Sequence, residues 1–119
     1  MSGGAVTFLT IELHPQPIPN THPQLSYLSA TPAAAPIARL LILHGYGDHA
    51  GRYAHVMQWF AQRGITCYAL DFRGHGRSGG KPGFIRRWDE YLQDLKQFLA
   101  IDELAPSNPP LCGGDMRTL

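Results

Sequence analysis

The spacing of apolar residues changes character along the chain. Stretches 5–13 (AVTFLTIEL) and 24–30 (QLSYLSA) are rich in β-branched and aromatic residues and predict two strands. Pro15, Pro17, Pro19 and Pro23 lie between them and exclude a helix there. After an Ala/Pro hinge at 31–36, residues 37–43 are continuously apolar apart from Arg39, as in a strand buried on both faces. The period then becomes helical: Tyr53, Val56, Met57 and Phe60 share one face of a helix predicted over 52–63, which Gly64 ends. Residues 65–70 return to strand character. Stretch 74–83 is a glycine-rich loop, and Trp88, Tyr91, Leu92, Leu95, Phe98 and Leu99 predict a second helix over 87–104, closed by Pro106, Pro109 and Pro110.

A strand, a helix and a strand in succession over 37–71 imply a right-handed crossover and a parallel sheet, so the fold class is α/β. Chemistry in such sheets gathers at the carboxyl ends of the strands. Both predicted parallel strands end in distinctive turns there: His44-Gly45-Tyr46-Gly47, and Asp71-Phe72-Arg73-Gly74-His75-Gly76-Arg77-Ser78.

These two turns, in this order, resemble the opening of an α/β-hydrolase, most closely the monoglyceride lipase and lysophospholipase branch, the serine aminopeptidase-like hydrolases. The resemblance covers roughly residues 5–111 and is strongest over 40–111. It implies a cofactor-free hydrolase that cleaves carboxylic esters of lipid-like alcohols, monoacylglycerols or lysophospholipids, through a serine nucleophile. It also implies that His44 and Gly45 shape an oxyanion turn whose donor is the Tyr46 backbone N–H, and that Asp71, Gly74, His75, Gly76 and Ser78 form a supporting turn. In the family a strand ending in G-x-S-x-G follows, then the acid and the histidine. Here Leu111 is followed by Cys112-Gly113-Gly114-Asp115-Met116-Arg117-Thr118-Leu119, with no serine. The expectation is therefore residues 1–111 as an incomplete hydrolase domain and 112–119 as an aberrant tail, inactive alone, with an apolar strand edge exposed along 40–43.

Other readings fit these residues less well. A local triad of Asp71, His75 and Ser78 would crowd base, orienter and nucleophile onto one loop, and is disfavoured. Gly74-His75-Gly76-Arg77-Ser78-Gly79 matches G-x-G-x-x-G, but Gly80, Pro82 and Gly83 delay the helix that a dinucleotide site requires at once. A non-catalytic binding module or a gene remnant is the other alternative. His44, His49 and His75 lack the spacing of a metal motif, so no metal is expected. The apolar stripes of both helices read as core, and Arg86-Arg87 as a solvated helix start.

Composition narrows the field further. With 119 residues and 44 % hydrophobic content, one globular domain or part of one is expected. Ten basic and 9 acidic side chains give a formal charge of +1, too little to bind nucleic acid by phosphate neutralisation. Cys67 and Cys112 make no disulfide framework, no signal peptide or spanning segment is evident, and a cytoplasmic setting is compatible. The pattern carries no signal for the oligomeric state.

Overall fold

The computed structural model describes residues 13–104 and 111–112. Its strands are β1 (His14–Pro17), β2 (Ser26–Ala30), β3 (Ala38–Leu43), β4 (Ile65–Asp71) and β5 (Leu111–Cys112). They form one sheet in the order β1-β2-β4-β3-β5. The pairs β1–β2 and β2–β4 are antiparallel; β4–β3 and β3–β5 are parallel. The parallel part holds the predicted crossover, with Leu40 opposite Cys67 and Leu43 opposite Leu70.

Helix α1 (Ala54–Ala61) follows a 3-10 turn at Ala50–Tyr53, and helix α2 (Asp89–Leu99) precedes another at Asp102–Leu104. Alternation along the strands assigns one helix to each face of the sheet. Tyr27, Leu41, Leu43, Tyr68, Leu70 and Phe72 pack with Phe98, Leu95 and Tyr91 of α2. The opposite parity, with Leu28, Ala30, Ile42, Cys67 and Ala69, packs with Met57 and Ala61 of α1. Small side chains, Ala30, Ala50, Ala61 and Ala69 among them, make up half of the buried cluster on the α1 side, whereas aromatic rings fill the α2 side. Burial pushes the Cys67 thiol up to about 11, which leaves it unreactive near neutral pH.

Several expectations are revised. The predicted strand 5–13 lies outside the described residues, apart from Leu13. The proline-rich connection instead contains a strand, β1, in which Pro15 and Pro17 pair with Leu28 and Ser26. Two residues apart, the prolines fall on the same side of the ladder, and an edge strand tolerates a missing N–H that faces away from its neighbour. Val56 is 43 % exposed, and Ala50 and Ala61 take up the burial expected of it. The helix predicted to Leu104 stops at Leu99, where the chain tightens into the 3-10 turn. Its stripe is only partly core: Phe98 is fully buried, but Trp88 is 74 %, Leu92 53 % and Leu99 41 % exposed. Strand β5 pairs with Arg39 and Leu40 of β3. Among the described residues no helix is long and apolar enough to cross a membrane.

Candidate active site

Strands β3 and β4 are adjacent and parallel, so the two turns at their carboxyl ends lie side by side. The first is a β-turn closed by the Asp48 N–H donating to Gly45 O at 3.1 Å, with Tyr46 and Gly47 at its centre. Gly47 has φ +79° while Tyr46 is not among the residues with positive φ, which defines a type II turn and requires glycine at its third position. The Tyr46 side chain is 72 % exposed, and its hydroxyl donates to Gly83 O at 3.0 Å, tying the turn to the glycine-rich loop. The Tyr46 N–H has no acceptor among the described residues.

Two buried histidines brace the turns against each other. His44 Nε2 accepts the Phe72 N–H at 3.0 Å, and its Nδ1 lies 2.7 Å from Gly45 O. His75 Nε2 accepts the Gly47 N–H at 2.9 Å, with Nδ1 2.9 Å from Arg73 O. Each ring thus carries its proton on Nδ1 and spends its only lone pair on a backbone amide. Neither has a nitrogen left to act as a general base. Burial, reinforced by the neighbouring His75, holds His44 below its ordinary pKa and so neutral. The two rings lie 5.0 Å apart, centre to centre.

Asp71, Gly76 and Ser78 act as scaffold in the second turn. Asp71 Oδ1 accepts the Ala50 N–H at 2.7 Å and Oδ2 the Arg77 N–H at 3.1 Å, linking the loop to the start of the α1 segment. Gly76 has φ +52°, and a Cβ there would fall inside the Asp71 carboxylate. The Ser78 hydroxyl donates to Asp71 O and accepts the Ser26 N–H at 2.8 Å. Asp71, His75 and Ser78 are therefore neighbours without forming a relay: His75 bonds to neither of the other two side chains.

The glycine-rich loop offers no cradle for a pyrophosphate. Amides of Gly74, His75, Arg77, Ser78, Gly79 and Gly83 all donate within the protein, and α2 begins only at Asp89. Among the described residues there is no cluster of His, Cys, Asp and Glu able to hold a metal ion.

Beside the turns lies an apolar cleft of about 320 Å³, lined by His44, Gly45, Tyr46, Phe72, His75, Trp88, Tyr91 and Leu92. The contribution of Trp88, Tyr91 and Leu92 was missed because their helical spacing reads equally well as core. Beneath the cleft, the carboxylate of Asp94 is fully buried and accepts from the Arg73 N–H at 2.9 Å and from its guanidinium at 2.8 Å. This pair pins the second turn to α2. Its signal was present in the sequence: an acidic residue on the inward face shared by Tyr91, Leu95 and Phe98.

Known proteins match this arrangement. The family model of serine aminopeptidase, S33, matches residues 34–114. The chain is 46 % identical over 71 residues to a monoacylglycerol lipase of Mycolicibacterium smegmatis, covering 60 % of this chain and 25 % of that protein. It is 32 % identical over 66 residues to the monoglyceride lipase of Rattus norvegicus, covering 56 % and 22 %. The chain thus spans about a quarter of the length of these curated relatives. In fold it is similar to a soluble variant of the monoglyceride lipase from Saccharomyces cerevisiae, with a TM-score of 0.70 at 19 % identity, covering 94 % of this chain and 37 % of that one. With the family model matched across most of its length, the chain belongs to the serine aminopeptidase S33 family and is a monoglyceride lipase-like α/β-hydrolase in sequence and fold.

Proposed function

We propose that this chain supplies the oxyanion side of a serine-hydrolase site that cleaves carboxylic esters of lipid-like alcohols, monoacylglycerols or lysophospholipids. One observation carries the reading: the Tyr46 N–H, unclaimed among the described residues, belongs to a turn pinned by His75 at the edge of an apolar cleft. When a nucleophile attacks an ester carbonyl, negative charge develops on its oxygen. A donor already fixed in place stabilises that charge without reorganising. The apolar cleft suits the acyl chain, and the names of the relatives support the ester class.

The remaining chemistry has no source in these turns. The Ser78 hydroxyl is held by two backbone groups, and the histidines have spent their lone pairs. An acyl-enzyme needs a serine on a strained strand-to-helix turn, with its own histidine and acid. A polypeptide of these 119 residues alone is therefore inactive on esters.

A fluorophosphonate probe and a monoacylglycerol assay test this on two proteins. One is the chain alone; the other is the chain fused to the part of the M. smegmatis enzyme that follows its matched region. The first remains unlabelled, and the second is labelled and releases fatty acid. Stoichiometric labelling of the chain alone, or a folded fusion that is neither labelled nor active, contradicts the reading.

A further inference from the structure

Between Phe72 and Trp88 the chain carries five basic side chains, Arg73, Arg77, Lys81, Arg86 and Arg87, and no acidic one, although its formal charge as a whole is only +1. Arg73 is committed to Asp94 and Glu90, and Arg87 to Asp89. Lys81 and Arg86 form no ion pair among the described residues. The Lys81 ammonium instead lies 5.3 Å from the centre of the Phe84 ring. Glu90 accepts the Arg86 backbone N–H at 2.9 Å and leaves the guanidinium outside that bond.

This loop forms part of the rim of the apolar cleft. The Tyr46 hydroxyl donates to Gly83 O at 3.0 Å, so the loop is tied to the cleft wall there. A second recess of about 600 Å³ is lined by Tyr46, Ile85, Arg86, Arg87, Trp88 and Tyr91, and it shares Tyr46, Trp88 and Tyr91 with the cleft. Phe84 and Trp88 are both exposed among these cations. A further protein layer laid flat over the two rings would also bury Lys81 and Arg86 away from water, which is costly without acidic partners. A lipid interface carries no such conflict. Aromatic rings settle at headgroup depth, and cations on long aliphatic stems meet lipid phosphates while staying hydrated.

We propose that residues 81–88 dock this chain onto an anionic lipid surface, with Phe84 and Trp88 at headgroup depth and Lys81, Arg86 and Arg87 facing the lipid phosphates. Docking by this rim turns the mouth of the cleft toward the lipid. The docking stands on the charge and exposure of the loop alone; that it delivers a lipid ester to the cleft rests on the functional reading above.

Flotation of the 119-residue chain with vesicles in a density gradient tests this, because aggregates sink while vesicle-bound protein rises. The chain should bind vesicles of phosphatidylcholine mixed with phosphatidylglycerol at least about tenfold more tightly than phosphatidylcholine alone. Raising the salt from about 0.1 M to about 1 M, which shortens the screening length from about 10 to about 3 Å, should release it. The double variant Lys81→Gln, Arg86→Gln should bind the anionic vesicles at least about tenfold more weakly with unchanged circular dichroism. Arg63→Gln, which removes an exposed cation just after α1, should bind as the parent does. In a Trp59→Phe background, where Trp88 is the only indole, emission should shift to the blue on the anionic vesicles. Absence of flotation, equal flotation with both vesicles, or an equal loss in Arg63→Gln overturns the proposal. Self-association that the double variant abolishes, without flotation, would assign the loop to a second copy and would also overturn it. None of these outcomes bears on the ester-hydrolase reading, which the fusion tests separately.

Discussion

The Gly47 N–H donates to Nε2 of His75 at 2.9 Å, a bond from the turn after β3 to the turn after β4 across 28 residues of sequence. It fixes the peptide between Tyr46 and Gly47, and with it the direction of the turn that carries the Tyr46 N–H. His75 is itself held by its Nδ1 against Arg73 O, and Arg73 by the buried Asp94. The candidate oxyanion donor is thus braced through a chain of bonds ending in α2.

Replacing His75 removes both bonds and a buried ring. His75→Ala is expected to destabilise the fold by roughly 1–3 kcal/mol, as for two hydrogen bonds lost together. Urea denaturation measures the loss. Hydrogen exchange at the Gly47 amide should accelerate by more than the global change in stability explains; parallel changes at Gly47 and in the β4 core would show that His75 has no local role.

Gly45 and Gly76 offer a paired steric test. A Cβ on Gly45 meets nothing within 4 Å, whereas on Gly76 it would fall inside the Asp71 carboxylate in a backbone conformation of positive φ. Gly45→Ala should therefore shift stability by less than about 1 kcal/mol, and Gly76→Ala should cost at least about 3 kcal/mol. Equal thermal midpoints for the two variants would contradict the packing of the second turn.

Stability should fall in mild acid, and His44 contributes to the fall. Burial holds its folded pKa below the ordinary value of 6.5. As the pH drops below about 6.5, the unfolded chain takes up a proton that the folded ring still refuses, so the unfolded state binds more protons and gains ground. The loss begins near the unfolded pKa and ends once the pH is below the folded one. Denaturation midpoints at pH 7.5 and 5.5 report the slope, and His44→Gln should reduce it. An undiminished slope in that variant would remove His44 from the explanation.

The order of elements from β2 to α2 and the pairing of the two turns were legible because they rest on local signals. These are a doubly buried apolar strand, a helical face ended by Gly64, and glycines at strand ends. Strand β1 was hidden because proline argues against a strand unless the strand is known to lie at an edge, which only the assembled sheet reveals. Trp88, Leu92 and Leu99 were misread as core for a related reason. Spacing identifies the side of a helix that is apolar but not whether anything covers it. The committed lone pairs of His44 and His75 were likewise invisible, since the amides they accept come from Phe72 and Gly47, each 28 residues away in the chain.

Proline at position 46 separates the Tyr46 N–H from everything else that residue does. The second position of a type II turn accommodates proline, so Tyr46→Pro keeps the backbone path but deletes both the side chain and the donor, while Tyr46→Ala deletes the side chain and keeps the donor; the difference between the two variants isolates the N–H. In the fusion with the M. smegmatis remainder, kcat on a monoacylglycerol should be about 10²–10³-fold lower for Tyr46→Pro than for Tyr46→Ala, the usual worth of one oxyanion donor. Equal kcat values in two equally folded variants would contradict the assignment of the Tyr46 amide to the oxyanion.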